Sequence, residues 1–194
     1  MQLGLKFIIH LSAALPLVWL YWGAFNDTIG ADPVESVIHF TGIGALNILL
    51  ITLLVTPLTK RFKQPLFMKC RRLLGLWAFT YALLHLANFI AFELQLDLSL
   101  FVDEVIERPY ITMGMFAFCV LFLLAVTSFN RVKKTMGKSW QKLHNWVYVG
   151  AVAVVIHFYW SIKSDIYEPG LYAVILLWLL YLRREKLKRW LKRV

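Results

Sequence analysis

Five histidines, His10, His39, His85, His144 and His157, are the side chains of this sequence best suited to chemistry. Each lies within or beside a long apolar stretch. A neutral imidazole binds transition metals through one ring nitrogen, and it also relays protons near neutral pH. A polar side chain at membrane depth is costly and is a functional candidate by default. The histidines therefore predict either metal ligation or proton transfer.

Six apolar runs must position these histidines, and none has a charged residue in its middle. They cover residues 5–25, 37–58, 73–92, 109–129, 143–162 and 169–182. Runs of about 20 residues match a hydrocarbon core of about 30 Å, and only helices satisfy their backbone there. The composition, 60% hydrophobic and 16% charged, excludes an ordinary soluble enzyme. We predict an all-α integral membrane protein, a bundle of six transmembrane helices.

The loop charges predict the orientation of this bundle. All of the 21 basic residues except Arg108 and Lys163 fall on one side, and all of the 11 acidic residues except Glu185 fall on the other. By the positive-inside rule the basic side is cytoplasmic. We therefore predict a multi-pass protein with both termini cytoplasmic. The net charge of +10 reflects membrane orientation and does not indicate nucleic acid as a partner.

The loops are too short for a soluble domain. We expect one transmembrane domain over residues 1–182 and a basic tail over residues 183–194. In the tail, Leu187, Trp190, Leu191 and Val194 repeat at helical spacing opposite basic residues. This pattern is typical of a helix on the anionic surface of the lipid bilayer, and the alternative is a frayed tail that only sets topology.

Gly42-Ile-Gly44 lies inside the second apolar run. A dinucleotide-binding glycine motif would follow a strand and open a helix. We therefore interpret this pair as a helix-packing feature.

His85 and His157 fall at similar depths on two different spans. His85 lies 14 residues after Arg71, about 20 Å along a helix. His157 lies 13 residues after His144, which begins the fifth run at the cytoplasmic border. Both histidines are thus predicted in the outer half, the arrangement needed for two imidazoles to hold one haem iron. No Cys-x-x-Cys-His occurs, so such a haem would be held by axial ligands alone.

Each histidine also has a structural interpretation. One hydrogen bond across helices would satisfy His85 or His157. His144 lies where water and headgroups solvate it. His39, at the outer end of the second span, is either a haem neighbour or an interfacial residue. His10 is expected to be structural.

Several segments together resemble the MsrQ (YedZ) family, the haem-binding membrane subunits of bacterial MsrPQ protein-methionine-sulfoxide reductase systems. The segments are Ile-His39-Phe-Thr-Gly, Arg71-Arg72-Leu-Leu-Gly-Leu-Trp77, Leu-His85-Leu, Arg108-Pro-Tyr110, Gly137-Lys-x-Trp140-x-x-Leu-His144-Asn-Trp-Val-Tyr148 and Ile-His157-Phe. A more distant resemblance is to the transmembrane domain of ferric reductases and NADPH oxidases. The resemblance implies a bacterial inner-membrane subunit with haem b between His85 and His157. It also implies that electrons pass to the periplasmic molybdoprotein MsrP, which repairs methionine sulfoxide in envelope proteins.

The sequence departs from the wider superfamily on the inner side. Those proteins typically carry two histidines on the third helix and two on the fifth, but here the inner partner of His144 would fall near Arg71 or Arg72. The MsrQ resemblance implies FMN at this place, with Arg71 and Arg72 for its phosphate and Trp77 for its ring. The two arginines are equally expected as topology signals, and a second haem on His144 is also open.

The resulting hypothesis is an electron-transfer subunit with no catalytic residues of its own. The family suggests the quinol pool or a cytoplasmic flavin reductase as the electron donor. The competing class is a proton-coupled transporter that uses the intramembrane histidines, although no intramembrane carboxylate completes a relay. A self-contained ferric reductase is a third option.

Overall fold

A computed structural model describes residues 2–162 and 166–192. Lys163, Val194 and the first residue lie outside this range. The described part of the chain is helical and contains no strand, which confirms the all-α prediction. The helices are α1 (Gln2–Phe25), α2 (Pro33–Phe62), α3 (Leu66–Asn88, extended by a π-helical turn at Phe89–Glu93), α4 (Leu98–Glu107), α5 (Pro109–Val126), α6 (Asn130–Met136), α7 (Lys138–His144), α8 (Val147–Ser161), α9 (Tyr167–Tyr181) and α10 (Arg184–Leu191).

Four helical segments are long and apolar enough to cross a membrane. They are Leu3–Phe25, Pro33–Phe62, Leu66–Glu93 and Pro109–Val126. Helices α8 and α9 have 15 residues each, which makes them about 22 Å long. The four long helices agree with a membrane-embedded fold.

Local signals set the ends of the long helices. Asp32 caps α2, since its carboxylate accepts the backbone N–H of Glu35 at 2.9 Å, and Pro33 occupies the first turn. Lys63 closes α2 in the left-handed conformation at φ 53°. Arg108 is extended before Pro109 opens α5, because a residue before proline avoids the helical region.

The fifth apolar run differs from its predicted helix over residues 143–162. His144 ends α7, and α8 begins at Val147. At this junction the backbone N–H of Trp146 donates to the carbonyl of Leu143, and the backbone N–H of Tyr148 donates to the carbonyl of Asn145. Each bond reaches the third preceding residue, as in a tight 3₁₀ turn. His144 and His157 therefore do not belong to one continuous helix.

The chain divides into two compact units, the first ending at Asp103 and the second beginning at Glu104. In the first unit α2 and α3 form the main helix pair. Leu46, Leu49 and Leu53 of α2 are almost fully buried. Helix α1 packs beside this pair, where Ala13 and Leu17 contact Tyr81 of α3.

In the second unit α5 and α8 form the corresponding helix pair, with α9 against α8. The buried faces of these two helices include several small residues. A Cβ built on Gly150 would meet Val120 at 3.0 Å, and Ala117 and Ala151 are buried. Small side chains let the two backbones approach closely, as is usual for helices that associate in a membrane.

Candidate functional site

His85 lies on α3 with its imidazole held against the backbone of α2. Its Nδ1 lies 2.9 Å from the carbonyl oxygen of Ile38. A carbonyl can only accept, so Nδ1 carries the proton and the lone pair is on Nε2. This tautomer is the one that a metal-ligating histidine adopts when its second nitrogen bonds the backbone.

Gly42 makes this approach possible. A Cβ built on Gly42 would lie 3.0 Å from both Cε1 and Nδ1 of His85. Such a distance is tighter than ordinary side-chain contact, so the ring rests on a backbone surface without a side chain. In the same helix a Cβ on Gly44 would collide with the ring of Tyr81. The prediction that Gly42-Ile-Gly44 is a helix-packing feature is confirmed.

A chain of polar side chains ends at the same carbonyl. Thr41, fully buried, donates through Oγ1 to Ile38 at 3.0 Å and to Val37 at 2.7 Å. Asn88 Nδ2 donates to Thr41 Oγ1 at 3.5 Å, and the hydroxyl of Tyr21 donates to Asn88 Oδ1 at 3.0 Å. The network joins α1, α2 and α3 beside His85.

His157 on α8 has the same arrangement in the second unit. Its Nδ1 lies 2.6 Å from the carbonyl oxygen of Tyr110, which again places the proton on Nδ1. A Cβ built on Gly114 would lie 2.8 Å from Nδ1 and 2.9 Å from Cε1. The Tyr110 ring stacks near the imidazole, with centroids 6.1 Å apart and planes at 30°.

Charged residues at the start of α5 hold Tyr110. Arg108 donates to the hydroxyl of Tyr110 at 3.2 Å and pairs with Glu104 at 2.8 Å. The hydrogen bond to Tyr110, with smaller contributions from the charges of Glu104 and Glu107, raises the pKa of Arg108. The guanidinium is thus cationic at every physiological pH.

His144 has different surroundings. Its Nε2 lies 3.2 Å from Thr127 Oγ1, and its ring stacks on Trp140 with centroids 3.9 Å apart. Trp140 donates its indole N–H to the carbonyl of Thr127 at 2.9 Å, and the Lys133 ammonium lies 4.6 Å from the Trp140 ring. In His144 the Nε2 atom itself makes the side-chain contact, whereas in His85 and His157 Nδ1 bonds a carbonyl.

The residues predicted for an inner flavin are distributed along α3. Trp77 donates its indole N–H to Nδ1 of His10 at 3.2 Å and meets the Tyr81 ring edge-on at 6.5 Å. Arg71 is half-buried and Arg72 exposed. The structure thus brings Trp77 to His10, which the sequence did not associate with it.

His39 is exposed at the beginning of α2 and lines a cavity of about 840 Å³ in the first unit. The cavity lies among α1, α2 and α3, and Trp77 and Asn47 also line it.

In the basic tail, residues Arg184–Leu191 form α10. Trp190 packs edge-on against Trp146 at 6.5 Å and beside Tyr148 at 6.4 Å. Buried Arg183 donates to the hydroxyl of Tyr148 at 2.9 Å. No pattern in the sequence indicates this contact between Arg183 and Tyr148.

The sequence indicates His85 and His157 as candidates but does not indicate the atoms that hold their rings. Neither acceptor is a side chain, since both are backbone carbonyls. A signal was present in Gly42 and Gly114, each four residues after the acceptor. Asn88, three residues after His85 in an apolar run, was a second signal.

Comparisons with known proteins place this helical architecture in a class of membrane protein. Residues 36–155 match the family described as "Ferric reductase like transmembrane component". This range includes His85 and His144 and ends two residues before His157.

Near-full-length relatives define the family more narrowly. The chain is 47% identical over 187 residues to a protein of Cronobacter sakazakii, covering 96% of this chain and 94% of the relative. It is 48% identical to one of Pectobacterium atrosepticum, with the same coverage, and 45% identical to one of Klebsiella pneumoniae, covering 96% and 93%. All three are named "Protein-methionine-sulfoxide reductase heme-binding subunit MsrQ". The chain belongs to the MsrQ family of membrane proteins, as the sequence motifs predicted.

Proposed function

We propose that this chain is a haem-binding electron-transfer subunit of the bacterial inner membrane that serves a methionine-sulfoxide reductase. The single observation that carries the proposal is the shared state of His85 and His157. Each has its Nδ1 proton directed to a backbone carbonyl and its lone pair on Nε2. The names of the relatives supply the cofactor and the enzyme system.

We propose that His85 and His157 would hold the iron of this haem. Among the described residues no three His, Cys, Asp or Glu side chains gather as a protein-only metal site would require. A haem iron needs one or two ligands from the protein, because the porphyrin provides the others. When bound, haem b supplies one-electron redox chemistry, and two histidine ligands leave no open position for oxygen or substrate.

The membrane arrangement proposed for this function has six spans with both termini in the cytoplasm. The four long helices and the shorter α8 and α9 correspond to the six apolar runs. The basic segment of α10 and the basic residues after α2 would then face the cytoplasm. His85 and His157 would lie toward the periplasm, near the partner that accepts electrons.

MsrP in the periplasm is the partner proposed to receive the electrons and to reduce methionine sulfoxide in envelope proteins. The proposed donor is the quinol pool or a cytoplasmic flavin reductase. We further propose that Arg71, Arg72 and Trp77 bind FMN on the inner side, with a second haem on His144 as the alternative. The positive charge of the arginines supports a phosphate-bearing group, and the contact between Trp77 and His10 is the feature that such a flavin would have to accommodate.

A visible absorption spectrum of the purified full chain tests the proposal. The wild type should carry haem that pyridine extraction recovers, and His85→Ala and His157→Ala should each lose it. His10→Ala is the matched control and should retain haem, because Nδ1 of His10 accepts from Trp77 instead of donating to a carbonyl.

A colourless wild type would refute the haem proposal. Retention of haem in both His85→Ala and His157→Ala would refute the ligand assignment. Extraction of flavin from the wild type, with loss in Arg71→Ala and Trp77→Ala, would support the inner FMN. A second equivalent of haem that disappears in His144→Ala would support the alternative inner cofactor.

A further inference from the structure

The two helix pairs that carry His85 and His157 share one local arrangement of histidine, glycine and backbone carbonyl. The histidines, the glycines beneath them and the carbonyl acceptors all correspond at one constant offset of 72 positions (157 − 85, 114 − 42 and 110 − 38). In each pair the histidine follows its acceptor by 47 residues. Each unit thus contains one histidine, one glycine and one carbonyl acceptor in the same arrangement.

Five positions that are buried in the first helix pair are also buried at the same offset in the second. The corresponding buried pairs are Ala45 and Ala117, Leu49 and Leu121, Leu53 and Ala125, Ala78 and Gly150, and Tyr81 and Ala153. At these positions α5 and α8 therefore pack as α2 and α3 do.

The glycines have a specific geometric effect on the acceptors. In a helix each Cβ tilts toward the N-terminus and covers the turn before its own residue. A side chain at position 42 or 114 would therefore lie over the carbonyl four residues earlier, which is the one that Ile38 or Tyr110 provides. With glycine at this position, the carbonyl remains accessible to a donor from a neighbouring helix. It can accept this second hydrogen bond in addition to the one within its own helix.

We propose that Gly42 and Gly114 are positioning residues for the two haem ligands, because they open the carbonyls of Ile38 and Tyr110 to the Nδ1 protons of His85 and His157. The inference rests on the proposed function. The paired hydrogen bonds fix the orientation of each imidazole and make it more electron-donating toward iron. Since each unit has this arrangement once, each glycine affects the orientation of one histidine.

The distances rank the two positions. An added Cβ would lie 2.8 Å from His157 at Gly114, a separation that requires movement, and 3.0 Å from His85 at Gly42. Gly114→Ala should therefore displace its imidazole more than Gly42→Ala does. Loss of the hydrogen-bond partner of a metal ligand typically weakens metal affinity by about 10- to 100-fold.

The test compares Gly42→Ala and Gly114→Ala with two control variants in the full chain. Gly44→Ala introduces a clash against Tyr81 in the same helix, and Gly75→Ala has only a methyl carbon of Thr52 within reach, at 3.9 Å. Haem per polypeptide, the midpoint potential and the EPR spectrum of the oxidised haem are measured, with circular dichroism as the check of folding.

Gly42→Ala and Gly114→Ala should retain less haem, and the haem that remains should have a more positive potential, because a ligand without its hydrogen bond stabilises ferric iron less. Gly44→Ala should lower stability without moving the potential, and Gly75→Ala should leave the haem content and the potential unchanged. Wild-type haem and its loss in the two histidine variants, together with unchanged spectra and potentials in both glycine variants, would overturn this inference and leave the proposed function intact. A wild type without haem would overturn both.

A measurement on the unaltered protein covers the case in which a glycine variant does not fold. Pulsed EPR of the wild-type haem in D₂O detects the imidazole Nδ1 protons. Slow exchange of these protons supports bonds to the buried carbonyls, and rapid exchange at both ligands would contradict the proposal.

Discussion

The polar network beside His85 predicts how strongly α1 is held to α3. Tyr21→Phe removes only the hydroxyl that donates to Asn88 Oδ1 at 3.0 Å. Asn88 is 5% exposed. In this variant its amide oxygen therefore loses the Tyr21 donor at a position where little water can replace it. The perturbation therefore isolates one hydrogen bond between two helices.

The expected magnitude follows from the length of each bond. Side-chain hydrogen bonds between membrane helices contribute about 0.6 kcal/mol on average and about 1.7 kcal/mol at most. The hydrogen bond from Tyr21 to Asn88 has an ordinary donor–acceptor distance, so we expect it to contribute about 1 kcal/mol. The 3.5 Å contact between Asn88 and Thr41 is at the limit of a hydrogen bond, and we expect about half that value or less.

A double-mutant cycle of Tyr21→Phe and Asn88→Ala measures the coupling. Unfolding is induced by increasing SDS in mixed micelles and followed by circular dichroism. Tyr167→Phe, at a tyrosine 91% exposed in the second unit, is the control and should show no coupling to Asn88. A Tyr21–Asn88 coupling below about 0.3 kcal/mol, the usual error of additivity, would refute the assigned role of this bond.

Three further predictions concern other parts of the fold. Asp32→Ala should destabilise the chain by about 1 kcal/mol through loss of the α2 cap, and an unchanged thermal midpoint would contradict that role. Gly44→Ala should cost about 1–3 kcal/mol by overpacking against Tyr81, as measured by SDS unfolding, and equal stability to wild type would show that the ring has room to move. Arg183→Met should loosen α10 from Tyr148, so trypsin should cleave the tail faster in membrane vesicles; cleavage at the wild-type rate would argue against that anchor.

Several features of the fold could be predicted from the sequence because the bilayer limits the possible structures. Apolar runs of membrane length can only be helices, so α1, α2, α3 and α5 follow from hydropathy. The break after His144 could not be predicted in this way. Asn145 and Trp146 retain nearly helical backbone angles, and the change from α7 to α8 depends on local hydrogen bonds that hydropathy does not encode.

For the candidate site, the sequence predicts side chains but does not predict their hydrogen-bond acceptors. Histidines in apolar runs are candidates because of their residue type, and counting residues along each run predicts their depth in the membrane. The acceptors at Ile38 and Tyr110 are backbone atoms, for which no residue type gives a signal. The family resemblance implies a flavin beside Trp77, and the hydrogen bond from its indole N–H to His10, on a helix distant in sequence, is a contact that the sequence does not indicate.

The use of backbone carbonyls has a consequence for mutational tolerance. Ile38 and Tyr110 have unlike side chains, yet each provides the same acceptor to a histidine. Any amino acid there retains the oxygen, so random substitution at these two codons should seldom disturb the imidazoles through it. Harmful substitutions are instead expected one helical turn later, at Gly42 and Gly114. There, any single-base change to another amino acid introduces a side chain.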